Sequence, residues 1–297
     1  MAAGLALSVA AFGLTITGCG DSRPVAESKK AEPAESAVSE RKSTMTTAKN
    51  IVVTATTELF GKKDPSAVDR WVAKDYTQHS SLGADGPEAL RQMVAGLGPD
   101  FRYDRARVIA DRNLVVLHGT YYGFGPDPVV AFDIFRVDAD GKLAEHWDAL
   151  TPAVKDTVSG RSQTDGPSEV TDTGKTEANR ALVTDFAKRV LVGADYSALT
   201  DYISTETYAQ HNPEAADGLA GFAAAAEKWA DQGKSPVYKK VHKVIAEGDF
   251  VLVQAEGEFG VPSAFYDLFR VADGKIVEHW DAIAPIPAQL PHDNGLF

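Results

Sequence analysis

Two short blocks of this sequence bring ionisable side chains close together, and both blocks occur twice. Asp133-Ile134-Phe135-Arg136-Val137 precedes Glu145-His146-Trp147-Asp148, and Asp267-Leu268-Phe269-Arg270-Val271 precedes Glu278-His279-Trp280-Asp281. A carboxylate beside an imidazole can work as an acid/base pair, because burial raises an Asp pKa while a protonated His lowers it. Asp133, His146 and Asp148, and likewise Asp267, His279 and Asp281, are the candidate catalytic residues. The alternative is a structural hydrogen-bond network at the centre of a sheet, where ionisable groups are perturbed without doing chemistry.

A third block repeats as well: Tyr76-Thr77-Gln78-His79 matches Tyr208-Ala209-Gln210-His211. The three blocks keep their order, and the offset between copies changes by no more than two residues. One domain has therefore been duplicated in tandem. Ile51, Val52, Ala55 and Leu59, and Leu182, Val183, Phe186 and Val190, recur at helical spacing, so each copy opens with an amphipathic helix. Short helices are expected near 65–72 and 196–203, and longer ones near 87–95 and 219–230. The rest of each copy, from about 102 to 150 and from 238 to 284, is rich in β-branched and aromatic residues and punctuated by Gly, Pro and Asp. Helices followed by an antiparallel meander make an α+β fold.

The last two strands of each copy join through Asp138-Ala139-Asp140-Gly141 or Ala272-Asp273-Gly274, whose glycines suit a left-handed turn. If Val137 pairs with Lys142, Asp133 lies opposite His146; if Val271 pairs with Lys275, Asp267 lies opposite His279. Strand alternation then gives Asp133, Phe135, His146 and Asp148 one face, and Phe132, Ile134, Arg136, Glu145 and Trp147 the other. Asp267, Phe269, His279 and Asp281 repeat the first face. Such a face needs water or mutual hydrogen bonds, which a concave, partly wet pocket supplies.

Composition narrows the function. The chain has 297 residues, 30 Lys+Arg against 42 Asp+Glu and a net charge of −12, which opposes nucleic-acid binding. A single cysteine excludes an intrachain disulfide. No nucleophile elbow, phosphate loop or dinucleotide fingerprint is present. One His and two Asp on adjacent strands lack a recognised metal-ligand spacing, so neither a metal nor a cofactor is expected. Residues 20–46 and 155–175 are poor in large apolar side chains and read as a disordered tether and a linker.

The motifs Tyr-x-Gln-His-Asn-Pro, Asp-x-Phe-Arg-Val, Gly-Lys and Glu-His-Trp-Asp resemble the SnoaL-like branch of the nuclear transport factor 2-like fold, in particular SnoaL-like aldol-condensation and polyketide-cyclase proteins. The second copy carries them as Tyr208 to Pro213, Asp267 to Val271, Gly274-Lys275 and Glu278 to Asp281; in the first, Ser80-Ser81 stands in place of Asn-Pro. The resemblance implies two cone-shaped domains, 47–153 and 176–288, each a curved antiparallel sheet packed on about three helices around an apolar pocket. The linker is then 154–175 and the tail 289–297. It further implies that an acidic residue moves a proton during an aldol closure, and that Tyr76, His79, His118 and Phe135, with Tyr208, His211 and Phe269, bind substrate. His118 has Gln254 as its counterpart, so the pockets are expected to differ.

Three functions stay open: aldol-type condensation or isomerisation of a small carbonyl compound, binding of an apolar ligand without turnover, and domain pairing, either within the chain or in a homodimer. Residues 1–19 resemble a bacterial lipoprotein signal, with Ile16-Thr17-Gly18-Cys19 as its lipobox, although Met1 to Gly4 carry no Lys or Arg. That resemblance implies a lipid on Cys19 and membrane anchoring in the extracytoplasmic space of a bacterial cell envelope.

Overall fold

The computed structural model describes residues 34–297; Cys19 and the signal-like segment lie outside them. The first copy runs α1 (Ala34–Thr56), α2 (Ala67–Trp71), β1 (Val72–Gln78), α3 (Pro87–Ala95), β2 (Arg102–Asp111), β3 (Leu114–Tyr122), β4 (Val129–Val137) and β5 (Leu143–Pro152). The second runs α4 (Thr176–Phe186), α5 (Leu199–Tyr202), β6 (Ala209–Gln210), α6 (Gly218–Asp231), β7 (Pro236–Glu247), β8 (Phe250–Phe259), β9 (Pro262–Ala272) and β10 (Lys275–Pro285). The architecture is α+β, as expected. Two expectations need correction: α1 begins at Ala34, inside the stretch read as disordered tether, and the sheets are mixed. Their orders are β1-β5-β4-β3-β2 and β6-β10-β9-β8-β7, with β1 and β6 lying parallel to β5 and β10. The Tyr-x-Gln-His blocks form or adjoin these fifth strands.

One face of each sheet packs on its helices. Val52 and Ala55 of α1, with Leu59 of the π-helical turn Thr57–Gly61 that continues it, are buried in one cluster with Val115, Leu117 and Phe135, and Val183 and Phe186 of α4 with Val190 of the turn Ala187–Val192 are buried likewise in the second copy. The period of three to four residues thus becomes a continuous apolar stripe. The other faces of the two sheets meet each other. Phe132, Ile134 and Trp147 from the first sheet share one buried cluster with Phe250, Leu268 and Trp280 from the second. Each copy also sends a cation across: the Lys243 ammonium sits 4.0 Å from the Trp147 ring centre, and the Arg107 guanidinium 4.1 Å from that of Trp280.

The segment read as a linker is packed. Its Thr164, Asp165 and Pro167 carbonyls accept hydrogen bonds from Arg107, and Gln163 is buried. Among the described residues no helix is long and apolar enough to cross a membrane.

The hairpin register also departs from expectation. Gly141 and Gly274 take positive φ, as the turns require, but a bulge follows in each β5 and β10. Val137 pairs with Leu143 and Arg136 with Glu145, leaving Ala144 as the extra residue; Val277 is its counterpart. Asp133 therefore faces Asp148, and Phe135 faces His146; Asp267 and Asp281, and Phe269 and His279, repeat the arrangement. One step comes from the turn and one from the bulge. Two steps restore the same side of the sheet, so the expected sharing of faces stands.

Trp280 is fully buried, stacks on His211 with ring centres 4.6 Å apart, and donates its indole N–H to the Asp165 carbonyl at 3.0 Å. Trp280→Ala is expected to cost about 3–5 kcal/mol of unfolding free energy, read by urea denaturation.

Candidate functional site

The first copy encloses a cavity of about 290 Å³ between its helices and the concave sheet face. Leu59, Phe60, Leu90, Met93, Phe135 and Leu150 make its walls apolar, and Tyr76, Gln78, Asp133, His146 and Asp148 make one polar end. No Lys or Arg lines it.

Gln78 organises that end. Its side-chain carbonyl Oε1 accepts the backbone N–H groups of His79 and Ser80, both at 3.0 Å, and lies 2.8 Å from His146 Nδ1. An oxygen that already accepts two amides has only lone pairs to offer, so Nδ1 of His146 carries a proton. His146 Nε2 then faces Asp133 Oδ1 at 3.2 Å, with a proton between them. Tyr121 donates its hydroxyl proton to the other Asp133 oxygen at 3.1 Å. Burial opposes a charge on His146, but the hydrogen bond to Asp133 and the charges of Asp148 and Asp133 outweigh it and raise its pKa.

Asp148 sits directly across from Asp133. Burial raises its pKa to about 6; His146 pulls it down, the Asp133 charge pushes it up, and a Ser80 hydrogen bond pulls it down. A carboxyl group titrating near neutrality is suited to general acid/base work. The Tyr76 hydroxyl proton is held well above its ordinary range by burial and then by Asp148 and Asp133. Burial therefore keeps Tyr76 a neutral donor.

The second copy repeats the polar set with different contacts. His279 Nδ1 meets Gln210 Oε1 at 3.0 Å and its Nε2 meets Asp267 Oδ1 at 3.0 Å. Here Tyr238 from β7, rather than a tyrosine from β8, donates to Asp267, at 3.1 Å to Oδ2. At the β8 position matching Tyr121 stands Gly257, where a Cβ would come within 2.0 Å of the Val237 carbonyl oxygen. Asn212 donates to Asp281 at 2.6 Å, and Asp281 is raised by burial against the pull of His279. Asp281 and Asn212 border a surface groove, whereas Asp267 and His279 are not among the residues that line it.

In each copy the ligand atoms of the Asp-His-Asp set lie within 4.8 Å of one another, close enough to share a divalent cation. The spacing along the sequence had given no sign of this, because the bulge brings the two carboxylates opposite each other.

Phe135 and Tyr76 line the cavity as expected, and Phe135 stacks on His146 with ring centres 4.5 Å apart. Tyr208 and Phe269 are buried in the second core. Three histidines are misplaced in the sequence reading. His79 and His211 follow Gln78 and Gln210 and so point to the opposite face. There they stack on Trp147 and Trp280 and meet Glu145 Oε1 and Glu278 Oε1 at 3.0 and 2.9 Å. His118 alternates with Leu117 and also faces away; it stacks on Phe132, and burial followed by Arg107 drives its pKa well down. Gln78, Gln210, Tyr121 and Tyr238 were missed. Gln78 was findable, since it shares strand parity with Tyr76.

Against known protein families, a model described as the SnoaL-like domain matches residues 53–146 and again 183–279. The chain belongs to the SnoaL-like family. No curated protein gives a significant match. Solved structures similar to single copies of this SnoaL-like chain include an NTF2-like protein of unknown function from Mesorhizobium loti, at 16% identity over 36% of this chain and 93% of that one, TM-score 0.33. A steroid delta-isomerase from Pseudomonas aeruginosa is 20% identical over 36% of this chain and 80% of that one, TM-score 0.31. An LEH-like epoxide hydrolase from M. tuberculosis is 22% identical over 36% and 84%, TM-score 0.31.

The raised Asp148 pKa carries a sign. Folding holds the Asp148 proton more tightly than the unfolded chain, whose ordinary value is 3.8, so this contribution to stability is complete below about pH 4 and is lost as pH rises through about 6. Asp148→Asn is therefore expected to raise Tm more at pH 8 than at pH 4, measured by thermal scans of both proteins.

Proposed function

We propose that the first copy removes a proton beside the carbonyl of a small, uncharged, largely apolar compound, leading to isomerisation or aldol-type condensation. The observation that carries this reading is the enclosed apolar cavity that ends in Asp148, His146 and Asp133. Asp148 is the base. The Tyr76 hydroxyl accepts only a long 3.4 Å hydrogen bond from Gln78 Nε2, so its own proton is free to donate to the developing enolate oxygen. His146 forms an ion pair with Asp133 at the same end, leaving Asp148 as the carboxylate that titrates near neutrality. The absence of Lys and Arg from the lining favours an uncharged substrate over a carboxylate or phosphate ester.

A second role is supported for the second copy. Its Asp281 is engaged by Asn212, and its sheet buries the outer face of the first sheet, which favours a pairing module over a second active centre.

The test is solvent deuterium wash-in at the α-carbon of 2-tetralone, followed by NMR. Asp148→Asn is expected to lose roughly 10²-fold or more in rate, and Asp281→Asn less than about 2-fold. The wild-type rate is expected to rise with pH through about 6 as Asp148 ionises. Binding of the ketone by wild type with no wash-in would replace this reading with ligand binding without turnover.

The resemblance of residues 1–19 to a lipoprotein signal supports anchoring of the protein outside the cytoplasmic membrane through a lipid on Cys19. In a bacterial host, Cys19→Ala is expected to move the protein out of the membrane fraction; unchanged fractionation would end that part of the proposal.

A further inference from the structure

The first site is built partly by the far end of the chain. Gln78 at the end of β1 and the two residues that follow it are held from outside by the C-terminal segment. Asn294 Nδ2 donates to the Gln78 carbonyl at 3.0 Å, His292 Nε2 donates to the Ser80 carbonyl at 2.9 Å, and His79 Nδ1 donates to the Gly295 carbonyl at 2.8 Å. Leu296 is 9% exposed and closes a small cavity of about 140 Å³ that Asp148 also lines. Asp148 thus has the apolar cavity on one side and the C-terminal segment on another.

The second copy is held in the corresponding way by the segment that follows the first. His211 Nδ1 donates to the Ser162 carbonyl at 2.7 Å, and the Val158 amide donates to the Pro213 carbonyl at 3.0 Å. Each copy therefore extends its C-terminal segment onto the other. The two contacts differ in consequence, since the cavity walled by the Asp-His-Asp set is in the first copy.

We infer that residues 292–296, which extend from the second domain, are positioning residues of the first site, and that the first domain without them has no competent Asp-His-Asp centre. The path is local. The segment fixes the backbone of Gln78 and Ser80 and the ring of His79; the backbone there presents two amides to Gln78 Oε1; and Gln78 Oε1 holds the proton of His146 on Nδ1. Loosening the clamp frees the Gln78 side chain, and with it the orientation of His146 toward Asp133.

The inference rests on the proposed proton transfer for its functional meaning, but its test has a readout that needs no substrate. Full-length wild type, His292→Ala/Asn294→Ala and a chain ending at Ala288 would be compared by ¹⁵N NMR of the histidine rings and by deuterium wash-in on 2-tetralone. The expected result is loss of the Nδ1–H signature of His146 in both variants, together with at least a tenfold fall in maximal wash-in rate, while Tm of the double variant changes by only a few degrees. If the His146 ring signals are the same in all three proteins, the inference is overturned, even where the wash-in rate falls, because the segment then acts as a cover. If wild type shows no wash-in, the functional proposal fails alone, and the His146 signature still decides whether the segment positions the site. Should the shortened chain not fold, the double variant, which keeps Leu296 and Phe297, decides between the two outcomes.

Discussion

A single side-chain carbonyl organises the first site. Gln78 Oε1 receives two backbone amides and one imidazole N–H, and that saturation fixes the tautomer of His146 at the polar end of the cavity. With no acceptor left in doubt, His146 has one tautomer when neutral, and its remaining nitrogen can only engage Asp133. Gln210 performs the same task in the second copy by accepting the Asn212 amide and His279. A glutamate in its place would bring a third carboxylate to a buried set that already struggles to ionise two.

The second constraint is the meeting of the two sheets. Each Trp of the Glu-His-Trp-Asp block is sandwiched between a histidine of its own copy and a cation of the other, so the motif that supplies the site on one face supplies the interface on the opposite face. Strand alternation makes this double use possible: His146 and Asp148 point inward, and Glu145 and Trp147 outward. Burial of the interface holds both copies in one body and places each C-terminal extension against the neighbouring copy.

Much of this was legible in the sequence. The duplication, the positions of the helices, the bounds of β3 and β4 and the shared face of Asp133, Phe135, His146 and Asp148 follow from periodicity and from the repeat itself, whereas β1 and β6, which precede the third helix of each copy, do not. What escaped was non-local. A bulge cannot be read from alternation, because Ala144 looks like any small strand residue. The parallel pairing of β1 with β5 depends on a partner more than sixty residues away. Tyr121 and Tyr238 occupy different strands of their copies, so aligning the repeats hides that both cap the same aspartate position.

The bulge also governs where this fold can change length. The turn before it differs between copies, with Val137 reaching Leu143 across five residues and Val271 reaching Ile276 across four, yet Arg136–Glu145 and Arg270–Glu278 fall back into the same register. Spacing in the site is thus counted from the bulge and not from the turn. The turn is free ground, open to inserted tags or drift, whereas one residue gained or lost between Glu145 and Asp148 would rotate a histidine out of the cavity and a tryptophan into it.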